Sequence, residues 1–224
     1  MAIEAVISIG LLLAVIYFFF RGKQSKQLAF IADYQFPSSL SQKISTRYPH
    51  LTQNDINLVF DALRDYFHVC NQAKNKMVSM PSQVVDVAWH EFILFTRNYD
   101  HFCDKALGKF LHHTPTEAMA TPTLAQTGIK RAWRLACAKE NINPQIPTQL
   151  PLLFAIDDKL NISDGFKYSL NCQDKSSPNF GSGYCASHIG CTSGCSGDSG
   201  SESDSGLFDG SGDSGGCSGG CGGD

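Results

Sequence analysis

The chain has 224 residues, 18 Lys and Arg against 21 Asp and Glu, and a formal net charge of −3. The mild basic excess before Lys175 is scattered and no basic-aromatic motif accompanies it, so no nucleic-acid partner is expected. Nine cysteines, an odd and sparsely placed set, exclude the disulfide framework of a small secreted domain.

Residues 2–20 form a nearly continuous apolar run. At ~1.5 Å per residue it reaches about 28 Å, close to the hydrocarbon thickness of a bilayer. Glu4 lies at one end and the aromatics of residues 17–20 at the other. A cleaved signal peptide carries positive charge before such a run and small residues after it. Here Arg21, Lys23 and Lys26 follow the run instead. The expectation is a single-pass anchor over residues 1–22. By the positive-inside rule its N-terminus is outside the cell membrane and the body is cytoplasmic.

The body, residues 23–170, reads as a compact helical bundle, so the fold class is mostly α. Residues 24–33 are a short helical stretch, broken by Phe36-Pro37. Residues 38–48 form a second helix, with Leu40 and Ile44 on one face. Thr52 caps a longer helix, and Asp55 puts a negative charge in its first turn. Ile56, Val59, Phe60, Leu63, Phe67 and Cys70 follow at helical spacing. A helix starting near Met80-Pro81 carries Val84, Val85, Ala88, Trp89, Phe92, Ile93, Phe95 and Thr96. Being apolar over much of its circumference, it is expected at the centre of the bundle. Helix continues through Tyr99, Phe102, Cys103 and Leu107 to a stop at Gly108.

Thr114-Pro115-Thr116-Glu117 is a capping box. Thr121-Pro122 opens a helix to about Asn141, with Leu124, Ile129, Ala132, Trp133 and Ala136 inward and Arg131 and Arg134 toward water. Residues 152–160 are a last short helix or strand. Cys70, Cys103 and Cys137 fall singly inside helical patterns, where a cysteine acts as a small buried hydrophobe.

Residues 171–224 form a tail dominated by Gly, Ser, Asp and Cys, with no Lys or Arg after Lys175. Such a stretch buries too little apolar area to offset its ordering entropy, and is expected to be disordered and acidic. Its pairs Cys191-x3-Cys195 and Cys217-x3-Cys221 would supply four thiolates to one soft metal ion, or act as a redox arm.

The densest chemistry lies between Asp86 and His113. Asp86 and His90 are i and i+4, on one helix face. Cys103, His112 and His113 follow. Carboxylate, imidazole and thiolate are what a zinc site needs, including a carboxylate that orients a histidine from behind. An ordinary structural role, Asp86 bonded to His90 and the histidine pair near a helix C-terminus, accounts for the same residues. His90-Glu91 lacks the second histidine of H-E-x-x-H, and no G-x-S-x-G elbow is present.

Val85-Asp86-x2-Trp89-His90, then Tyr99, Cys103, Gly108 and His112-His113, resembles the glycine-rich domain-containing protein family, in a bacterial membrane-anchored form. The resemblance covers about residues 29–168 and implies a helical domain without assigned catalytic residues. The family often has a polar residue or His soon after Trp-His, where this chain has Glu91-Phe92. Plant members can carry an RNA-binding segment, whose motif is not found here.

Three functions remain open from the sequence. The first is a membrane-anchored binding or scaffold module with an unidentified protein partner, and no enzyme. The second is a metal-binding protein or metal-dependent hydrolase with zinc at His90 and His112 or His113, aided by Asp86 or Cys103. The third places the metal or redox chemistry at the tail cysteines.

Overall fold

A computed structural model describes residues 2–113, 122–170, 184–186 and 189. The capping box at 114–117 and the tail cysteines Cys191, Cys195, Cys217 and Cys221 lie outside these residues. Seven helices and one two-stranded pairing make up the described residues, which are mostly α.

The first helix, α1 (Ala2–Asp33), is continuous, where the sequence suggests an anchor and a separate short helix. The junction around Arg21 and Gly22 contains no proline. One glycine costs a helix only ~1 kcal/mol, and packing of the following turns on the body holds the helix together. Residues 7–20 carry their large apolar side chains outward, Phe18 and Phe19 at 69% exposure. Counting from Ile7, α1 is long and apolar enough to cross a membrane, a test that a signal sequence also passes. Past Phe20 the helix becomes amphipathic. Ile31 is buried in the core, and Leu28 and Phe30 pack against it.

After the Pro37 break, α2 (Ser38–Arg47) buries Leu40 and Ile44. Next, α3 (Gln53–Ala73) opens with a full capping box. Asp55 N donates to Thr52 Oγ1 at 3.3 Å and Thr52 N to Asp55 Oδ2 at 2.8 Å. Every other helix packs on α3. The centre of the bundle is therefore α3 and not the Trp89 helix. With 21 residues against 11, it is long enough to present faces to all of them.

The Trp89 helix, α4 (Gln83–Ile93), begins after Pro81 rather than at it. Ser82 is its N-cap and accepts from Val85 N at 3.3 Å. A turn at Leu94 and Phe95 separates it from α5 (Thr96–Leu107). Thr96, expected on the apolar face of the Trp89 helix, is instead an exposed first residue of α5. Gly108 ends α5 in the left-handed region at φ 71°. Its N–H donates to Cys103 O at 3.0 Å and Asp104 O at 3.1 Å, as the sequence leads one to expect of a glycine stop.

Helix α6 (Pro122–Lys139) buries Ala132, Trp133, Ala136 and Cys137. Arg131 departs from its expected solvent position. Its guanidinium donates to the Met77 carbonyl and its Nε is buried. Helix α7 (Leu152–Lys159) follows. Last, β1 (Tyr168–Ser169) pairs in parallel with β2 (Tyr184–Cys185). Ala186, from the stretch assigned to the tail, is fully buried.

Two buried polar side chains fix the framework. Asn71 on α3 donates through Nδ2 to Ala106 O at 2.8 Å and to Gln27 Oε1 at 3.1 Å, tying α5 and α1 to the centre. Asp157 on α7 is 1% exposed. It accepts from Ser82 Oγ at 2.7 Å, Gln83 N at 2.7 Å, Val84 N at 3.1 Å and Phe166 N at 2.9 Å. A carboxylate at a helix N-terminus takes up unsatisfied N–H groups and complements the dipole. Asp157 therefore sets where α4 starts and how it is oriented.

Candidate metal centre

Helix α4 turns Val85, Trp89 and Phe92 into the core and leaves Asp86 and His90 toward solvent. One turn apart, His90 Nδ1 lies 3.4 Å from Asp86 Oδ2. His113 arrives from outside the helix. Gly108 reverses the chain after α5, and residues 109–113 run back across α4.

Tyr99 holds that return path. It is fully buried. Its hydroxyl accepts from Trp89 Nε1 at 3.1 Å and donates to Leu111 O at 2.6 Å. One turn further along α5, fully buried Cys103 lies beside the Tyr99 hydroxyl and the Leu111 backbone. The Tyr99 hydroxyl therefore grips the Leu111 carbonyl two residues before His113. The His113 ring then packs edge-on against Trp89, with centroids 4.8 Å apart.

The resulting cluster is Asp86, His90 and His113, with one ligand atom from each within 4.8 Å of the others. His113 Nε2 lies 3.3 Å from Asp86 Oδ1, and its Nδ1 lies 3.2 Å from His90 Nε2. Proton counting makes this arrangement informative. A neutral imidazole carries one N–H. If each histidine donates it to Asp86, two nitrogen lone pairs face each other. The other tautomer closes that contact but opens one to Asp86, so filling all three contacts takes a third proton or a metal ion. Two nitrogens bound at ~2.0–2.1 Å in a tetrahedron stand about 3.3 Å apart, close to the spacing observed. Asp86 then sits behind both rings, as a carboxylate that orients metal-binding histidines. The His90 side chain is 47% exposed, so the site is open on that side.

The other sequence candidates are placed elsewhere. His112 packs on the Phe110 ring at 4.8 Å, away from Asp86. Cys103 is fully buried beneath the return path and belongs to its support. Tyr99 and the Trp89 indole N–H position His113, a role that sequence reasoning missed. The usable signal was Tyr99 and Cys103 at i and i+4, followed by the Gly108 stop.

Burial pushes the Cys70 and Cys137 thiols up to about 12, and raises that of Cys103. Since the thiolate is the nucleophile, a raised value means protonated and inert: at pH 8 and a value near 12 only ~1 in 10,000 is ionised. Iodoacetamide at pH 8 should leave these three unmodified in the folded protein and label them after guanidinium unfolding. Peptide mass spectrometry reads the difference.

Comparisons with curated proteins and with solved structures give no match. A family model described as UCP032817-like matches residues 26–189. The match takes in the C-terminal end of α1, the Asp86–His90–His113 cluster and the stretch through β2. Its description is not the glycine-rich name that the Trp89-His90 motif resembles. The chain belongs to the uncharacterised UCP032817-like family.

Proposed function

We propose that this protein is a membrane-anchored helical module that holds a zinc-type divalent ion at His90 and His113, with Asp86 orienting both rings. The observation that carries it is the facing pair His90 Nε2 and His113 Nδ1 at 3.2 Å, with each ring's other nitrogen near Asp86. Two protein nitrogens leave coordination positions on the exposed His90 side. Water fills them in the free protein, and a side chain of a protein partner fills one on docking. The apolar exposure of residues 7–20, followed by Arg21, Lys23 and Lys26, supports an anchor with the N-terminus outside and the body at the cytoplasmic face.

Elemental analysis of the full-length protein, purified reduced in a neutral detergent, tests the ion. About one zinc per chain is expected. His113→Ala and His90→Ala should abolish it, and Asp86→Asn should weaken it ten- to hundredfold, as loss of an orienting carboxylate does. The variant with Cys191, Cys195, Cys217 and Cys221 all changed to Ser should retain it. Loss in that variant alone moves the chemistry to the tail cysteines. Absence of metal from all forms makes the cluster a hydrogen-bonded triad and overturns the proposal. Hydrolytic turnover abolished by His90→Ala without unfolding would replace the binding module with an enzyme.

A further inference from the structure

A second site lies where α1 leaves its apolar stretch. A cavity of about 710 Å³ opens between α1 and the C-terminal ends of α3 and α5. Tyr17, Phe20, Arg21, Lys23, Lys74 and Lys109 contribute to its wall, and among the described residues no carboxylate does. The cations are held in place by separate means. Arg21 Nη1 donates to Tyr17 Oη at 2.9 Å. A Cβ on Gly108 would stand 3.8 Å from Lys23 Nζ, which places that ammonium against the α5 stop. Lys109 Nζ donates to Lys74 O at 2.6 Å and Asn75 Oδ1 at 3.1 Å. Lys109 thus answers the carbonyl end of α3, and Arg21, Lys23 and Lys74 are the other cations of the wall.

Lys74 adds a further observation. It is the C-cap of α3 with φ 58° and ψ −109°, a conformation that glycine adopts without strain and a lysine does not. The lysine side chain is present there at a backbone cost. The cavity also has a mixed wall. Phe20 and Tyr17 bring the apolar surface of α1 to its edge, and the charge begins within one helical turn of them. In a helix crossing a bilayer that level is the headgroup layer, where aromatics and cations both concentrate.

We infer that this cavity binds the phosphate of an anionic phospholipid headgroup, with Arg21, Lys23 and Lys74 on the phosphate and Tyr17 and Phe20 against the upper acyl chain. The site is separate from the Asp86–His90–His113 cluster. It rests on the membrane placement of α1 proposed above, and binding in detergent reads it without requiring that α1 span a bilayer. Alkaline carbonate extraction of membranes tests the anchor by itself.

The test is calorimetric titration of the full-length protein in a neutral detergent with three probes: dihexanoyl phosphatidylglycerol, dihexanoyl phosphatidylcholine and inorganic phosphate. Saturable binding of phosphatidylglycerol is expected, at least tenfold tighter than the other two and weakening between about 50 and 500 mM NaCl. Each surface lysine contributes about fivefold to attraction of an anionic lipid. Lys23→Gln combined with Lys74→Gln should therefore lower the affinity by more than about tenfold. Lys74→Gly keeps that test open if the double variant folds poorly. It relieves the backbone strain, so it should leave the thermal midpoint unchanged or raised while still weakening the lipid. Equal binding of phosphatidylcholine, or an affinity untouched in the lysine variants, overturns the site. Inorganic phosphate binding as tightly as phosphatidylglycerol overturns the lipid and leaves a site for free phosphate.

Discussion

Asp157→Ala should cost the fold about 3–5 kcal/mol, the range for breaking a buried charged network. Asp157 receives one hydroxyl and three backbone N–H groups from two separate stretches of chain. Removing the carboxylate strands these donors. A buried donor without an acceptor costs ~1–3 kcal/mol. The N–H groups of Gln83 and Phe166 are only partly buried and regain water, so the total stays below the sum. Asp157→Asn keeps the volume and one acceptor oxygen but turns an NH2 toward N–H donors, and should lose about half as much. Thermal unfolding of the full-length protein followed by circular dichroism reads both. For a body of this size ~1 kcal/mol moves the midpoint by about 2–4 °C, so a fall of roughly 8–15 °C is expected for alanine. A fall under about 2 °C would show that Ser82 alone caps α4.

Tyr99→Phe should cost about 2–3 kcal/mol and weaken metal at the His90–His113 pair. The substitution keeps the ring and deletes one oxygen that both accepts from Trp89 Nε1 and donates to Leu111 O. Trp89 is 3% exposed, so its N–H finds no water. Leu111 is half-buried and its carbonyl recovers in part. The larger consequence falls on His113, two residues after the carbonyl that Tyr99 holds. With that grip gone, the ring must be ordered again each time an ion binds. A ten- to hundredfold loss of affinity is expected, the range for removing a group that orients a ligand. Competition with a chelating dye measures it. Loss of stability with metal affinity intact would mean that Trp89 packing alone places His113.

Local rules accounted for much of the helical architecture. The Thr52 and Asp55 cap, the apolar stripe of α3 and the Gly108 stop depend on neighbours three to five residues away, and the periodicity of the sequence displays them directly. The start of α4 did not yield to the same reasoning, because the carboxylate that fixes it lies 75 residues beyond Ser82. Arg131 was misplaced for a related reason. A charged residue on a helix defaults to solvent, and nothing local announces a carbonyl at Met77 in need of a donor. The relation of Asp86 to His90 follows from helical geometry. Choosing between His112 and His113 does not, because an irregular segment has no period and adjacent side chains diverge. Cys103 carries ligand chemistry in its composition, but its place one turn from Tyr99 on the buried face of α5 gives it a supporting position instead.

Because α1 passes into the body as one continuous helix, the protein has a mast where the sequence suggests an anchor and a separate short helix. Four residues after Phe20, Gln24 already reaches Gln72 on α3 at 3.3 Å. Four helical residues rise only about 6 Å. With α1 anchored as proposed, a body mounted that closely would not sweep a volume beneath the membrane. In that placement, tilting the helix would tilt the whole body, and rotating it about its axis would change which face meets the bilayer. A partner that gripped only the apolar segment would thereby steer the face carrying His90, with no signal passing through the core.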